Sequence, residues 1–175
     1  MKGVRKIKKY VLITSGFWAN KVEIREDNES GKLLYTTEKS ILSSIILKFL
    51  SNWYNPVNFV FKGHNDNRDF KIKDIARNRH ILIEDDKEIG LFKGRKLLAT
   101  RYRFWISLGG AEYFYEGDSV DLITKAYQNS IEVGVFKIYN QNIPHFDWQA
   151  EVISDMDKRV VASALLYNYL IWGRV

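Results

Sequence analysis

Residues 157–172 read Asp-Lys-Arg-Val-Val-Ala-Ser-Ala-Leu-Leu-Tyr-Asn-Tyr-Leu-Ile-Trp, and this stretch decides the fold. From Val160 to Trp172 only Ser163, Asn168 and the tyrosine hydroxyls interrupt the apolar run. Placed around a 3.6-residue turn, these positions leave no continuous polar face. The segment therefore predicts a helix that is apolar nearly all round, and such a helix is enclosed by protein or by lipid. Its 13 residues reach about 20 Å, short of the ~30 Å hydrocarbon core of a bilayer. Enclosure by protein is the expectation. Asp155, Met156 and Asp157 place acids where a helix dipole favours them, which sets the helix at 155–172. A lone helix is surrounded on every side only if a sheet wraps around it.

The remainder of the chain supplies such a sheet. Val22 and Ile24 alternate with Lys21, Glu23 and Arg25, Asp27-Asn28-Glu29-Ser30-Gly31 is a turn, and 32–36 returns as a second strand. From residue 58 onward, short runs at 58–62, 69–74, 80–84, 89–93, 97–108, 111–115, 131–139 and 145–153 are separated by turn clusters. Lys93-Gly94-Arg95-Lys96 reads as the turn entering the 97–108 strand. Turn signals about every 8–12 residues argue for antiparallel hairpins rather than a parallel sheet. One segment differs. Ile41, Leu42, Ile45, Ile46, Phe49, Leu50 and Trp53 mark one face of a helix at about 38–54, stopped by Asn55-Pro56. Its polar face carries only Lys39 and Lys48, too few cations for a helix that lies on a membrane, so packing on its own sheet is expected. The fold class is thus mainly β (α+β). It is an antiparallel barrel of short hairpins around a buried C-terminal helix, with an added amphipathic helix.

At 175 residues and 46% hydrophobic content the chain fits a single domain, 1–175. It has no Cys, which excludes disulfides, a thiolate nucleophile and Cys-ligated metal sites. His64, His80 and His145 share no metal-ligand spacing, and no P-loop, GxGxxG or GxSxG motif occurs. The expectation is a non-enzymatic protein with no cofactor and no metal.

The net charge of +6 dissolves on inspection. Residues 1–9 alone hold Lys2, Arg5, Lys6, Lys8 and Lys9, a basic N-terminal arm that leaves the body close to neutral. Within that body, 62–103 is net +5 and 110–157 is net −7. Nucleic acid is therefore a poor partner, because the global charge is largely the arm's and no recognition motif accompanies it. The apolar run after the arm, Tyr10-Val11-Leu12-Ile13, is too short for a signal peptide, and no stretch is long enough for a transmembrane span.

Several units repeat a pattern of strand, acidic turn, and strand ending in Lys. They are Asp69-Phe-Lys-Ile-Lys-Asp74, Ile81-Leu-Ile-Glu-Asp-Asp-Lys-Glu-Ile-Gly-Leu-Phe-Lys93 and Val133-Gly-Val-Phe-Lys137, followed by Asp147-Trp-Gln-Ala-Glu-Val-Ile153 and the helix after Asp157. Over roughly residues 58–172 this resembles the tubby C-terminal-like fold, shared by tubby-like, LURP-one-related and phospholipid scramblase-like proteins. The resemblance implies a cytoplasmic module, peripheral to the membrane, that binds anionic phospholipid or phosphate groups. The alternative is a protein-interaction or regulatory domain with no lipid role. The residues suited to an anion are the basic cluster Arg77, Arg79, Lys93, Arg95, Lys96, Arg101 and Arg103, whose guanidinium forks match phosphate if neighbouring hairpins align them. The competing reading is a solvated face balanced by the acidic third of the chain.

Overall fold

The computed structural model describes residues 6–15, 21–38, 59–76, 79–96, 101–118, 121–142 and 145–172. Within them the strands are β1 (Ile7–Ser15), β2 (Lys21–Glu26), β3 (Leu33–Glu38), β4 (Phe59–Gly63), β5 (Phe70–Ala76) and β6 (Arg79–Glu84). They continue as β7 (Lys87–Lys96), β8 (Arg101–Leu108), β9 (Ala111–Asp118), β10 (Ile123–Gln128), β11 (Ile131–Asn142) and β12 (His145–Ile153). The helix α1 (Lys158–Trp172) follows. Each strand pairs antiparallel with the one before it, and β1 pairs with β12, so the sheet closes on itself. The seam runs from Ile7 opposite Ile153 to Leu12 opposite Trp148.

Tight turns set the registers. Asp85-Asp86, Gly109-Gly110 and Asn129-Ser130 all take left-handed backbone angles, the geometry of two-residue hairpins whose twist matches the strands. Glu84 then faces Lys87, Leu108 faces Ala111, and Gln128 faces Ile131.

The core lies in the lumen. Val160 to Leu166 of α1 are all at most 1% exposed, which is the enclosure that an all-round apolar helix demands. Phe92, Phe104 and Tyr115 stack across β7, β8 and β9 at 5.4 and 4.3 Å between ring centres, and Tyr167 of α1 lies on Phe92 and Phe104. On β3, β4 and β5, Tyr35, Phe61 and Phe70 form a second aromatic group.

The two polar interruptions of the helix fare differently. Asn168 is buried and accepts hydrogen bonds from Tyr102 and Thr124, each at 2.5 Å, while its amide donates to the Ala164 carbonyl at 2.8 Å. The Tyr102 and Thr124 hydroxyls also touch each other. Tyr102 reaches this site across Gly117 of the intervening strand, where a Cβ would stand 2.1 Å from the tyrosine ring. The hydroxyl of Ser163 is buried with no hydrogen-bond partner among the described residues.

The helix N-terminus is tied to the wall. The Asp157 carboxylate accepts the Arg159 backbone N–H at 2.8 Å and its carbonyl accepts from Val161, so Asp157 caps the helix. The Arg159 side chain donates both to Asp157 and, at 2.7 Å, to Glu84 at the end of β6.

Three differences from the sequence reading have physical causes. β1 begins at Ile7, so Lys8 and Lys9 belong to the wall rather than to an arm, their charges met by Glu26 at 2.6 Å and Glu151 at 3.7 Å. β7 runs through 93–96, so Lys93-Gly94-Arg95-Lys96 is strand, paired residue by residue with β8 from Trp105 to Tyr102. β10 is an additional strand whose inward positions are the small Thr124 and Ala126, which give no hydrophobic alternation to read. Glu38 is the last residue of β3, and the amphipathic helix expected at 38–54 otherwise lies outside the described residues.

An unpaired charge at the centre of this lumen costs several kcal/mol, against a total stability on the order of 5–15 kcal/mol. Leu165→Asp is therefore expected to abolish the cooperative thermal transition. A soluble variant with a normal melting curve would refute enclosure of α1.

Candidate anion-binding surface

Alternation in β6 and β7 puts Leu82 and Phe92 in the lumen, which turns the side chains of Arg79 and Lys93 outward. These two stand directly opposite each other across the β6–β7 ladder. The same outer row continues through Trp105 of β8, Phe114 of β9 and Tyr127 of β10. The rings touch in sequence, Trp105 to Phe114 at 5.3 Å and Phe114 to Tyr127 at 6.0 Å. One row over, Lys73, Ile81 and Leu91 are also in register and face outward. Lys73, Arg79 and Lys93 are exposed, and none has a carboxylate partner among the described residues.

The other members of the basic cluster divide. Arg101 and Arg103 lie on the same face of β8, but each sits opposite an acid of β9. The Arg103 guanidinium donates to Glu116 at 2.6 and 2.8 Å and lies 5.9 Å from the centre of the Phe114 ring. Arg101 is 3.7 Å from Asp118. The basic middle and the acidic third of the chain thus meet at the β8–β9 ladder, and an anion at Arg101 or Arg103 competes with a carboxylate already there. Arg95 and Lys96 are in register with Arg103 and Tyr102, their side chains outside what is described. Arg77 lies outside the described residues. The structure therefore brings Arg79 and Lys93 together as the uncompensated pair, with Lys73 one row away.

Inside the wall at the same level is a pair that spacing alone did not reveal. Asp74 and His80 face each other across β5 and β6 and point inward, with His80 Nδ1 3.3 Å from an Asp74 oxygen. Their signal was the strand period, since Phe70, Ile72 and Asp74 share one face and His80 and Leu82 share the facing one. Burial holds the His80 imidazole below its usual pKa, opposed by the attraction of the Asp74 carboxylate. His80 lines a cavity of about 10 Å³ together with Ile72, Phe92, Ser163 and Tyr167. That volume holds about one water, so the pair acts on packing and on stability with pH. Among the described residues no group of three or more His, Asp or Glu is placed to hold a metal ion, and no helix is long and apolar enough to cross a membrane.

Comparison with protein-family models, with curated proteins and with solved structures finds no match.

Two outcomes follow from this geometry. The Arg101–Asp118 and Arg103–Glu116 pairs are exposed and worth at most about 1 kcal/mol each, so Arg101→Ala and Arg103→Ala are expected to leave the melting temperature nearly unchanged. A loss of cooperative folding in either would contradict the assignment of these residues to the surface. His80 has a folded pKa below its unfolded value, so its contribution is fully present above the unfolded pKa of about 6.5 and is lost as pH falls through the folded one. The melting temperature should drop between neutral and mildly acid pH, and His80→Gln should flatten that drop. Equal slopes in the two proteins would show that another group is responsible.

Proposed function

We propose that this chain is a non-enzymatic binding module that recognises anionic phospholipid or phosphate groups from the cytoplasmic side, in the manner that the tubby-like and LURP-one-related resemblance implies. The observation that carries the reading is the outward pair Arg79 and Lys93, adjacent on neighbouring strands and without carboxylate partners among the described residues. Two cations at strand spacing, ~4.8 Å apart, match the reach of one phosphate, and Arg offers it two parallel N–H donors. The twelve-stranded meander around a C-terminal helix accords with the resemblance as an architecture. An architecture hosts many activities, so the functional argument rests on the pair.

Co-sedimentation with phosphatidylserine-containing and phosphatidylcholine-only vesicles at low and high salt tests this. Binding should require the anionic lipid and weaken as salt shortens the range of the field. At about 1 kcal/mol per cation near an anionic surface, Arg79→Ala/Lys93→Ala should lower affinity on the order of 30-fold. Lys2→Gln/Arg5→Gln serves as the comparison for the basic N-terminal residues. Salt-insensitive or absent binding to anionic vesicles would sink the lipid reading and leave the protein-interaction alternative.

A further inference from the structure

The outer row beyond Lys93 is not explained by phosphate recognition. Trp105, Phe114 and Tyr127 are each only half-buried and lie outside the interior core. They form one continuous ring contact across three strands. The wall of a barrel that has already filled its lumen needs no second apolar layer. Elsewhere the exterior mixes charged side chains such as Lys71, Lys125 and Lys137 with exposed apolar ones such as Ile7, Val60 and Ile131. Here three aromatics touch in a row, and Ile81 and Leu91 of the neighbouring row are half-buried on the same outer face.

Resting on the lipid reading above, we propose that Trp105, Phe114 and Tyr127 are the membrane-contacting strip of the protein, and that the barrel lies side-on against an anionic bilayer. Their rings would occupy the boundary between headgroups and acyl chains, while Arg79, Lys93 and Lys73 meet the phosphates. Three features select this occupant. Trp and Tyr have an apolar body and a polar tip, the chemistry that settles at the headgroup level. On the β5–β7 side of the strip Lys73, Arg79 and Lys93 have no carboxylate partner among the described residues, whereas on its β8–β11 side Arg103 is matched by Glu116 at 2.6 Å and Lys125 by Glu132 at 3.2 Å. The face is thus net positive on one flank and neutral on the other, complementary to a negative surface. Finally, adjacent strands are ~4.8 Å apart, so the row from Arg79 to Tyr127 extends about 19 Å around the wall, an area suited to a surface rather than to one small molecule.

The chain has no Cys, so a single introduced thiol takes a label without competition. Phe114→Cys carrying an environment-sensitive fluorophore is compared with Glu23→Cys on β2, in vesicles whose acyl chains are brominated. Phosphatidylserine-containing vesicles should quench the label at position 114 and leave the one at position 23 unaffected. With unlabelled protein, Trp105→Ala/Tyr127→Ala should weaken vesicle binding roughly tenfold or more, by a factor that persists at high salt, in contrast to Arg79→Ala/Lys93→Ala. Melting curves of all variants establish that the barrel is intact. Salt-sensitive vesicle binding with an unquenched label at 114 would overturn the strip while leaving the cationic reading in place. No binding to any vesicle would overturn both. A concentration-dependent blue shift at 114 without lipid would assign the strip to contact between copies of this chain and overturn the membrane proposal.

Discussion

Enclosure of α1 is the constraint on which the rest depends. A helix with no polar face is insoluble by itself, and a barrel of twelve strands is hollow by itself. About eight strands already give an interior that side chains fill, and the additional circumference admits a helix ~10–12 Å across. Each element therefore supplies what the other lacks. The join between them is not purely apolar. Asn168 engages Tyr102 and Thr124 inside the lumen, and Arg159 bridges Asp157 and Glu84 at its entrance. Hydrogen bonds of this kind have fixed partners, so they set the rotation and depth of a helix whose apolar surface alone would accept many settings.

A lumen filled in this way leaves chemistry to the outer wall. The void beside His80 is about the size of one water, and the sidedness is the reverse of a membrane-spanning barrel, which keeps its apolar band outside and its polar groups inside. What the wall can offer is decided by register. A row of residues far apart in sequence becomes a row in space because three tight hairpins fix which positions face each other. The same registers place Glu116 and Asp118 beside Arg103 and Arg101, so the charge segregation along the chain is partly cancelled in space at the β8–β9 ladder, while Lys73, Arg79 and Lys93 keep no carboxylate partner among the described residues.

The helix and most hairpins were legible because their signals are local. Apolar periodicity around 160–172 and turn residues such as Asp85-Asp86 and Gly109-Gly110 act within a few positions of where they are read. β10 was missed for the complementary reason. Its inward residues Thr124 and Ala126 are small because they face bulky groups such as Phe136 and Tyr115, a fact about neighbours rather than about the segment, and its turn Asn129-Ser130 has no glycine to advertise it. The continuation of β7 through Gly94 was hidden likewise. Glycine there reads as a turn, whereas its role is to admit the Tyr167 hydroxyl, which would lie 2.2 Å from a Cβ. The candidate site was half legible. The residue types of the basic cluster stood in the sequence, but which cations retain their charge and which aromatics join them depends on cross-strand partners.

The β1–β12 seam also orders events in time. On a ribosome, β1 emerges before every other strand of the barrel, β12 after all of them, and α1 last. All twelve strands can form hairpin ladders as they appear, each from neighbours in sequence, yet the β1–β12 seam waits for the last strand and the cylinder has no contents until the helix is free of the exit tunnel. Final assembly is thus a single late step of high contact order, in which the sheet must curl around a helix while both still expose apolar surface. The interval before that step is when this chain is most exposed to aggregation, and its length is set by synthesis of the C-terminal segment rather than by the intrinsic speed of hairpin formation.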